Sequence, residues 1–139
     1  MRTAICSICC VFVSASQVQA DAELDKFQGT WQVTKASSGG KDAPEKEVAK
    51  MVITFKDDQA IPKDNPTDVA KIKLDPVKKP AEIDFTDKDK KVNKGVYRFI
   101  DKDTLEICMN LTDEAARPKD FVSPKDSTYI ILVMKRMKN

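Results

Sequence analysis

The chain has 139 residues, of which 33% are charged, and its 24 basic and 22 acidic side chains give a net charge of +2. This length suffices for one ordinary domain, and the composition is that of a globular protein, not of a fibre or a disordered tail. The two signs of charge are interleaved along the chain. The sequence therefore lacks the electrostatic footprint of a protein that binds nucleic acid or anionic lipid.

The first twenty residues have the layout of a secretory signal peptide. Arg2 supplies a basic start, residues 4–13 form an apolar run, and Val18 and Ala20 occupy the two positions that a signal peptidase reads. An apolar run of this length rises ~15 Å as a helix, about half of a bilayer core, so we expect no transmembrane span. We predict an exported protein, periplasmic or secreted, with residues 1–20 as the signal peptide, cleavage near Ala20, and one domain over residues 21–139.

The cysteines bear on how the chain is exported. The alternative to a freely released exported protein is one that is anchored by lipid attached to Cys9 or Cys10. The residues before these cysteines lack the Leu and small side chains of a lipoprotein box, so lipid anchoring is not expected. Cleavage after Ala20 leaves only Cys108, which then has no partner for an internal disulfide. Free cysteine usually behaves as a small hydrophobe, and the chain has no histidine to activate it, so we predict that Cys108 is buried and inert rather than reactive.

The rest of the chain predicts short strands joined by short connections. After a polar lead-in at residues 21–26 comes a first strand at 27–37, a two-glycine turn at 39–40 and one short helix over 42–51, with Asp42 as its cap. Residues 61–66 carry two prolines and are interpreted as a loop. The remaining predicted strands lie at residues 51–55 or 52–55, 69–75, 82–86, 95–100, 104–111, 121–123 (a stub) and 128–138.

The last predicted strand differs from the others because residues 129–134 are apolar on both faces. Such a strand at an open sheet edge is an aggregation hazard. Pairing with the first strand and covering by the short helix would both remove this exposure. We predict an all-β fold, a small antiparallel up-and-down β-barrel of seven to eight strands with one short helix after the first strand. A two-sheet sandwich is the alternative that periodicity leaves open.

Five segments resemble, in this order, a lipocalin-like (calycin-type) domain of unknown function that is common in exported proteins of planctomycete-type bacteria. The resemblance covers residues 24–136, and one departure from it is the turn at residues 101–103, where the family often has Gly. It implies a small calycin-type barrel and no established reaction. The segments are GTW at 29–31, KLDPVKKPAEIDF at 73–85, KGVYRFIDKDTLEICMN at 94–110, RPKDF at 117–121 and ILVMKR at 131–136.

Gly29 and Trp31 are also similar to the Gly-x-Trp signature of lipocalins. The resemblance implies that Trp31 plugs the closed end of the barrel under a basic side chain of the last strand, which is Arg136 or, as second choice, Lys135. A guanidinium over an indole contributes ~0.5–2 kcal/mol. The alternative is a plain core tryptophan with a solvated arginine nearby; in both cases the role is structural.

A set of large apolar side chains on the later strands bears on whether the barrel is hollow. With about eight strands, the interior is either packed by side chains or just wide enough for one small ligand. Bulky residues on nearly every strand favour a mostly filled interior. The possible lumen-lining residues are Tyr97, Phe99, Leu105, Ile107, Met109 and Phe121.

The absence of histidine excludes Ser-His-Asp and Cys-His arrangements and most zinc sites. The carboxylates show no calcium-loop spacing and lie mostly among lysines, so no catalytic, metal or cofactor site is predicted. We predict a non-enzymatic exported module, a monomer of unknown specific role, that contacts a protein or the cell envelope. The alternative is a carrier of a small apolar ligand in the barrel mouth, which depends on the fold resemblance alone. An enzyme of unusual chemistry has the least support.

Overall fold

The structure is a computed structural model that describes residues 15–112 and 116–138. Most of the predicted signal peptide lies outside these ranges. Within these ranges, two helices and nine strands follow one another: α1 (Ala15–Phe27), β1 (Gly29–Ser38), β2 (Lys41–Asp42), α2 (Glu45–Val48), β3 (Val52–Lys56), β4 (Gln59–Pro62), β5 (Ala70–Asp75), β6 (Ala81–Thr86), β7 (Val92–Asp101), β8 (Thr104–Asn110) and β9 (Tyr129–Arg136).

The strands form one closed antiparallel barrel. Each strand from β3 to β9 pairs with its neighbour in the chain, β1 pairs with β3, and β9 returns to pair with β1. Eight strands close the barrel, and β2 is an extra short strand on β1. The predicted all-β barrel and its closure by the last strand are confirmed, and the two-sheet sandwich is wrong. Closure leaves the last strand without a free edge, because both of its edges carry main-chain hydrogen bonds, and its side chains Leu132 and Met134 are buried.

The barrel has two ends with different coverings. The β3–β4 and β7–β8 turns and the end of β9 lie at the end where α1 meets β1, and we call it the α1 end. The β5–β6 turn also lies at the α1 end, and the longer β4–β5 and β8–β9 connections lie at the opposite end. Among the described residues, neither helix has the length and apolar character that crossing a bilayer would need.

The connection between β8 and β9 lies over the outer face of the sheet. Arg117 reaches β6, where its Nη2 atom lies 2.7 Å from Asp84 Oδ1. The guanidinium thus provides the buried carboxylate oxygen with an ion-pair partner. Cys108 Sγ faces the Val122 carbonyl oxygen at 3.8 Å. Asn110 donates through Nδ2 to the Ala116 carbonyl oxygen at 3.1 Å. As a result, β8 is buried on both faces.

Four local predictions are wrong. The polar lead-in is the second half of α1, and the predicted loop at 61–66 begins inside β4, where Pro62 is tolerated because it is the last residue of the strand. Residues 121–123 form no strand. Asp42 does not cap α2: it belongs to β2 and accepts a hydrogen bond from Ser37 Oγ, while Pro44 precedes the helix without a side-chain cap.

Candidate functional site

The last turn of α1 closes one end of the barrel with an aromatic side chain. Phe27 is fully buried, and its ring makes edge-on contacts with three other rings. The centroid distances are 5.3 Å to Phe55, 5.1 Å to Tyr97 and 5.2 Å to Phe99. Such edge-to-face pairs add ~0.5–1.5 kcal/mol each to the burial of the ring. The barrel interior at this end is therefore filled by the chain itself.

Arg136 joins the last strand to the end of α1 and to Trp31. Its Cζ atom lies 4.4 Å from the Trp31 ring centroid, which is cation–π distance. Nη2 donates to the Lys26 carbonyl oxygen at 2.6 Å, and Nη1 donates to the Gln28 carbonyl oxygen. These carbonyl groups belong to the helix end, where no intrahelical donor remains. One guanidinium thus covers the indole and caps the helix.

Gly29 makes the approach of Arg136 possible. Its φ is 117°, which side chains with a Cβ rarely adopt. A Cβ at this position would lie 3.2 Å from Arg136 Nη1. The glycine therefore permits both the sharp exit from α1 and the close approach of the guanidinium. Gly29, Trp31 and Arg136 lie together at the α1 end. The side chain over the Trp31 indole is that of Arg136, and Lys135, the second choice, is exposed.

The β7–β8 turn supplies a carboxylate to the same cluster. Arg136 Nε donates to Asp103 Oδ1 at 3.2 Å, and the Arg136 main-chain N–H donates to the Asp103 carbonyl oxygen at 2.9 Å. Asp101 accepts from the Asp103 main-chain N–H at 2.9 Å, and this bond lowers the pKa of the Asp101 carboxyl. The turn therefore forms without a Gly, because the Asp101 side chain accepts a hydrogen bond from the main chain of the turn.

Tyr97 provides a second polar link between α1 and the barrel. Its hydroxyl lies 3.2 Å from Glu23 Oε1, and Glu23 in turn contacts Lys26 Nζ at 3.0 Å. Burial, followed by the negative charge of Glu23, raises the pKa of the Tyr97 hydroxyl far above its usual value. The hydroxyl therefore stays protonated and donates to the carboxylate.

Five of the six possible lumen residues lie in the packed core, and one lies elsewhere. Tyr97, Leu105 and Ile107 are fully buried in the main hydrophobic cluster, and Phe99 and Met109 pack against it. Phe121 belongs to the β8–β9 connection, where the Arg98 guanidinium lies 4.2 Å from its ring centroid. Arg98 is exposed between two inward-facing neighbours, so this contact is on the outer face of the barrel.

A cleft of about 580 Å³ lies between α1 and β5, and we call it the α1–β5 cleft. It is bounded on one side by Ala20, Asp21 and Leu24 of α1. None of the residues predicted to line a lumen borders it. Sequence reasoning missed this cleft because α1 was not predicted. The other lining residues are Asp58, Lys71, Ile72, Lys73, Leu74, Asp75 and Thr86.

Cys108 lies on the outer face of β8 beneath the connection and is fully buried, as predicted. Desolvation raises the pKa of its thiol from 9.0 to about 11. Because the thiolate is the nucleophile, alkylation of Cys108 by iodoacetamide at pH 8 should be much slower in the folded chain than in urea. Peptide mapping by mass spectrometry separates Cys108 from Cys6, Cys9 and Cys10.

The same shift predicts a pH dependence of stability. The folded state holds the thiol proton more tightly than the unfolded state, so this contribution to stability is complete below about pH 9 and is lost as the pH rises towards 11. Replacement of Cys108 by Ala should reduce that loss in denaturation curves recorded between these pH values. Equal alkylation rates in the folded and unfolded chain would contradict burial of the thiol.

The side chains at the α1 end and beneath the β8–β9 connection make structural contacts. Among residues 15–112 and 116–138, no group of three or more His, Cys, Asp or Glu side chains is placed to hold a metal ion. The shifted pKa values belong to the Tyr97 hydroxyl, which bonds to Glu23, to the Cys108 thiol beneath the β8–β9 connection, and to the Asp101 carboxyl, which bonds the main chain of its own turn. In comparisons with known proteins, no family model, curated protein or solved structure matches the chain.

Proposed function

We propose that the protein is an exported, non-enzymatic lipocalin-like module that contacts a protein or cell-envelope partner through its surface. The observation that carries this proposal is the packed interior at the α1 end, where Phe27 fills the space between Phe55, Tyr97 and Phe99. A barrel that holds its own side chains offers its outer surface and clefts for recognition. The same observation weakens the alternative of a small apolar ligand carried in the barrel mouth.

Export is supported by the way α1 divides at the predicted cleavage site. Val18 and Gln19, before the site, are exposed. After the site, Glu23 bonds to Tyr97, and Phe27 is buried in the aromatic cluster. Cleavage after Ala20 would therefore leave in the mature chain both the Glu23–Tyr97 hydrogen bond and the contacts of the Phe27 ring with the barrel.

Native mass spectrometry of the chain recovered from the exported fraction of producing cells tests this proposal. We expect a polypeptide that begins at Asp21, carries no small apolar molecule, and occurs partly in a complex with another macromolecule. A polypeptide in the exported fraction that retains residues 1–20 would overturn cleavage after Ala20, and recovery of the chain only from the cytoplasmic fraction would overturn export. A stoichiometric lipid or pigment would overturn the interaction role in favour of the carrier.

A further inference from the structure

The edge of β5 extends beyond its neighbour β4. On the β4 side, the paired residues are Ala70 with Ala60 and Lys71 with Gln59. One further bond runs from the Ile72 main-chain N–H to the Asp58 carbonyl oxygen at 2.7 Å. On the β6 side, pairing continues as far as Asp75. Within the described parts of the chain, residues 73–75 therefore have a strand beside them on one side only.

The main-chain groups of Leu74 face this open side. In an antiparallel ladder, the N–H and C=O of one residue point to the same neighbour, and the direction alternates along the strand. Ile72 donates towards β4, so Leu74, two residues on, also directs its N–H and C=O to that side. Leu74 lines the α1–β5 cleft. Main-chain groups at an unpaired sheet edge are a template for another extended chain.

We propose that the α1–β5 cleft binds an extended peptide segment of a partner protein, which pairs with the edge of β5 at Leu74. This inference depends on the proposed function and names the chemistry of its partner. The cleft volume of about 580 Å³ is within the ~300–1,000 Å³ of ligand sites. At ~3.3 Å per residue, the open edge accommodates a segment of about three or four residues.

The charges around the cleft select the side chains of that segment. Lys71 Nζ lies 3.4 Å from Asp58 Oδ2, so these two charges largely balance each other. In the full-length chain, the remaining lining charges are two carboxylates, Asp21 and Asp75, against one ammonium, Lys73. A segment that carries Lys or Arg complements this excess of negative charge. Cleavage after Ala20 would add the α-ammonium of Asp21, so the preference for Lys or Arg should weaken in the chain that begins at Asp21, whereas pairing at Leu74 should persist. Because the groups are near water, the charges select among partners more than they add affinity.

Hydrogen exchange at single amides tests the pairing directly in the full-length chain. The probe is the peptide acetyl-Thr-Val-Lys-Val-Thr-amide. Without it, the Leu74 amide should exchange much faster than the Ile72 amide, which is bonded to Asp58. At a peptide concentration ten times the Kd, exchange at Leu74 should slow about tenfold because the bound state is protected. The Ile72 amide should change little.

Two matched peptides separate strand pairing from other binding. The same peptide with N-methyl groups on all five residues keeps its side chains but loses the main-chain donors on both of its edges, and it should give no protection at Leu74. The peptide with Glu in place of Lys should bind more weakly. Equal protection by the N-methylated peptide, or slow exchange at Leu74 before any peptide is added, would overturn the proposal. The second result would mean that a segment of this chain or a second copy already covers the edge.

Substitutions on α1 locate the site. Asp21 is exposed and borders the cleft, so Asp21→Trp should fill it and abolish protection by the lysine peptide. Asp25→Trp adds the same ring at an exposed position that does not line the cleft, and it should leave binding unchanged. Binding that survives Asp21→Trp would overturn the assignment of the site. If the peptide fails while native mass spectrometry still shows a macromolecular complex, the edge proposal falls and the proposed function stands.

Discussion

Replacing Phe27 with Ala is expected to lower the free energy of unfolding by about 3–5 kcal/mol, the range for deleting a buried Phe ring. Phe27 is 0% exposed and contacts three aromatic rings, so the substitution removes a large apolar surface and leaves a cavity. Domains of this size are stable by only about 5–15 kcal/mol. A loss of this size should be clear in urea denaturation followed by the fluorescence of Trp31, the only tryptophan.

Two control variants isolate the role of the ring. Asp25→Ala changes an exposed residue of the same helix turn and should alter stability by less than about 0.5 kcal/mol. Phe27→Leu keeps an apolar side chain but loses the edge-on ring contacts, so its effect should be intermediate. If Phe27→Ala loses no more than about 1 kcal/mol, α1 does not close the barrel through this ring.

The barrel itself was predictable from the sequence because its cause is local composition. The residues of β9 are apolar on both faces, and an apolar ribbon of this kind must be paired and covered. Pairing of β9 with β1 follows from that requirement, and the register brings Trp31 opposite Arg136. The burial of Cys108 was predictable on a separate ground, since a free cysteine usually behaves as a small hydrophobe and the chain has no histidine to activate it.

The closing helix was not predictable because its stabilising contacts come from distant parts of the chain. In α1, Leu24 and Phe27 are the apolar residues of a mostly charged turn, which is typical of a solvated lead-in. The partners that fix this turn are Arg136, at the other end of the chain, and Tyr97 in β7. Helices of this length depend on tertiary contacts more than on propensity.

The α1–β5 cleft could not be predicted for a geometric reason. It exists because β5 extends past the β3–β4 turn while α1 crosses beside it. The length of β4 was hidden by Pro62, which suggested a loop although it ends a strand opposite Ile53. The distance by which β5 extends past β4 is set by how the two strands pair in the closed barrel, and the residue pattern of neither strand predicts it.

Arg136→Ala is expected to lower the free energy of unfolding by about 2–4 kcal/mol. The contact with Trp31 contributes ~0.5–2 kcal/mol. Hydrogen bonds from a charged group contribute about 1.5–3 kcal/mol, reduced here because the side chain is 28% exposed. The emission of Trp31 should also shift, because the indole loses the guanidinium that covers it.

Two further variants, Arg136→Lys and Lys135→Ala, test whether Arg136 both covers the indole and caps α1. The alternative is a plain core tryptophan beside a solvated arginine. Arg136→Lys keeps the charge but lacks the planar fork that reaches the indole, Asp103 and two carbonyl groups together, so it should recover only part of the lost stability. Lys135→Ala removes an exposed charge one residue away and should change stability by less than about 0.5 kcal/mol. If Arg136→Ala and Lys135→Ala have equal effects and Trp31 emission is unchanged in both, the guanidinium is solvated and the closed end is held by Phe27 and Trp31 alone.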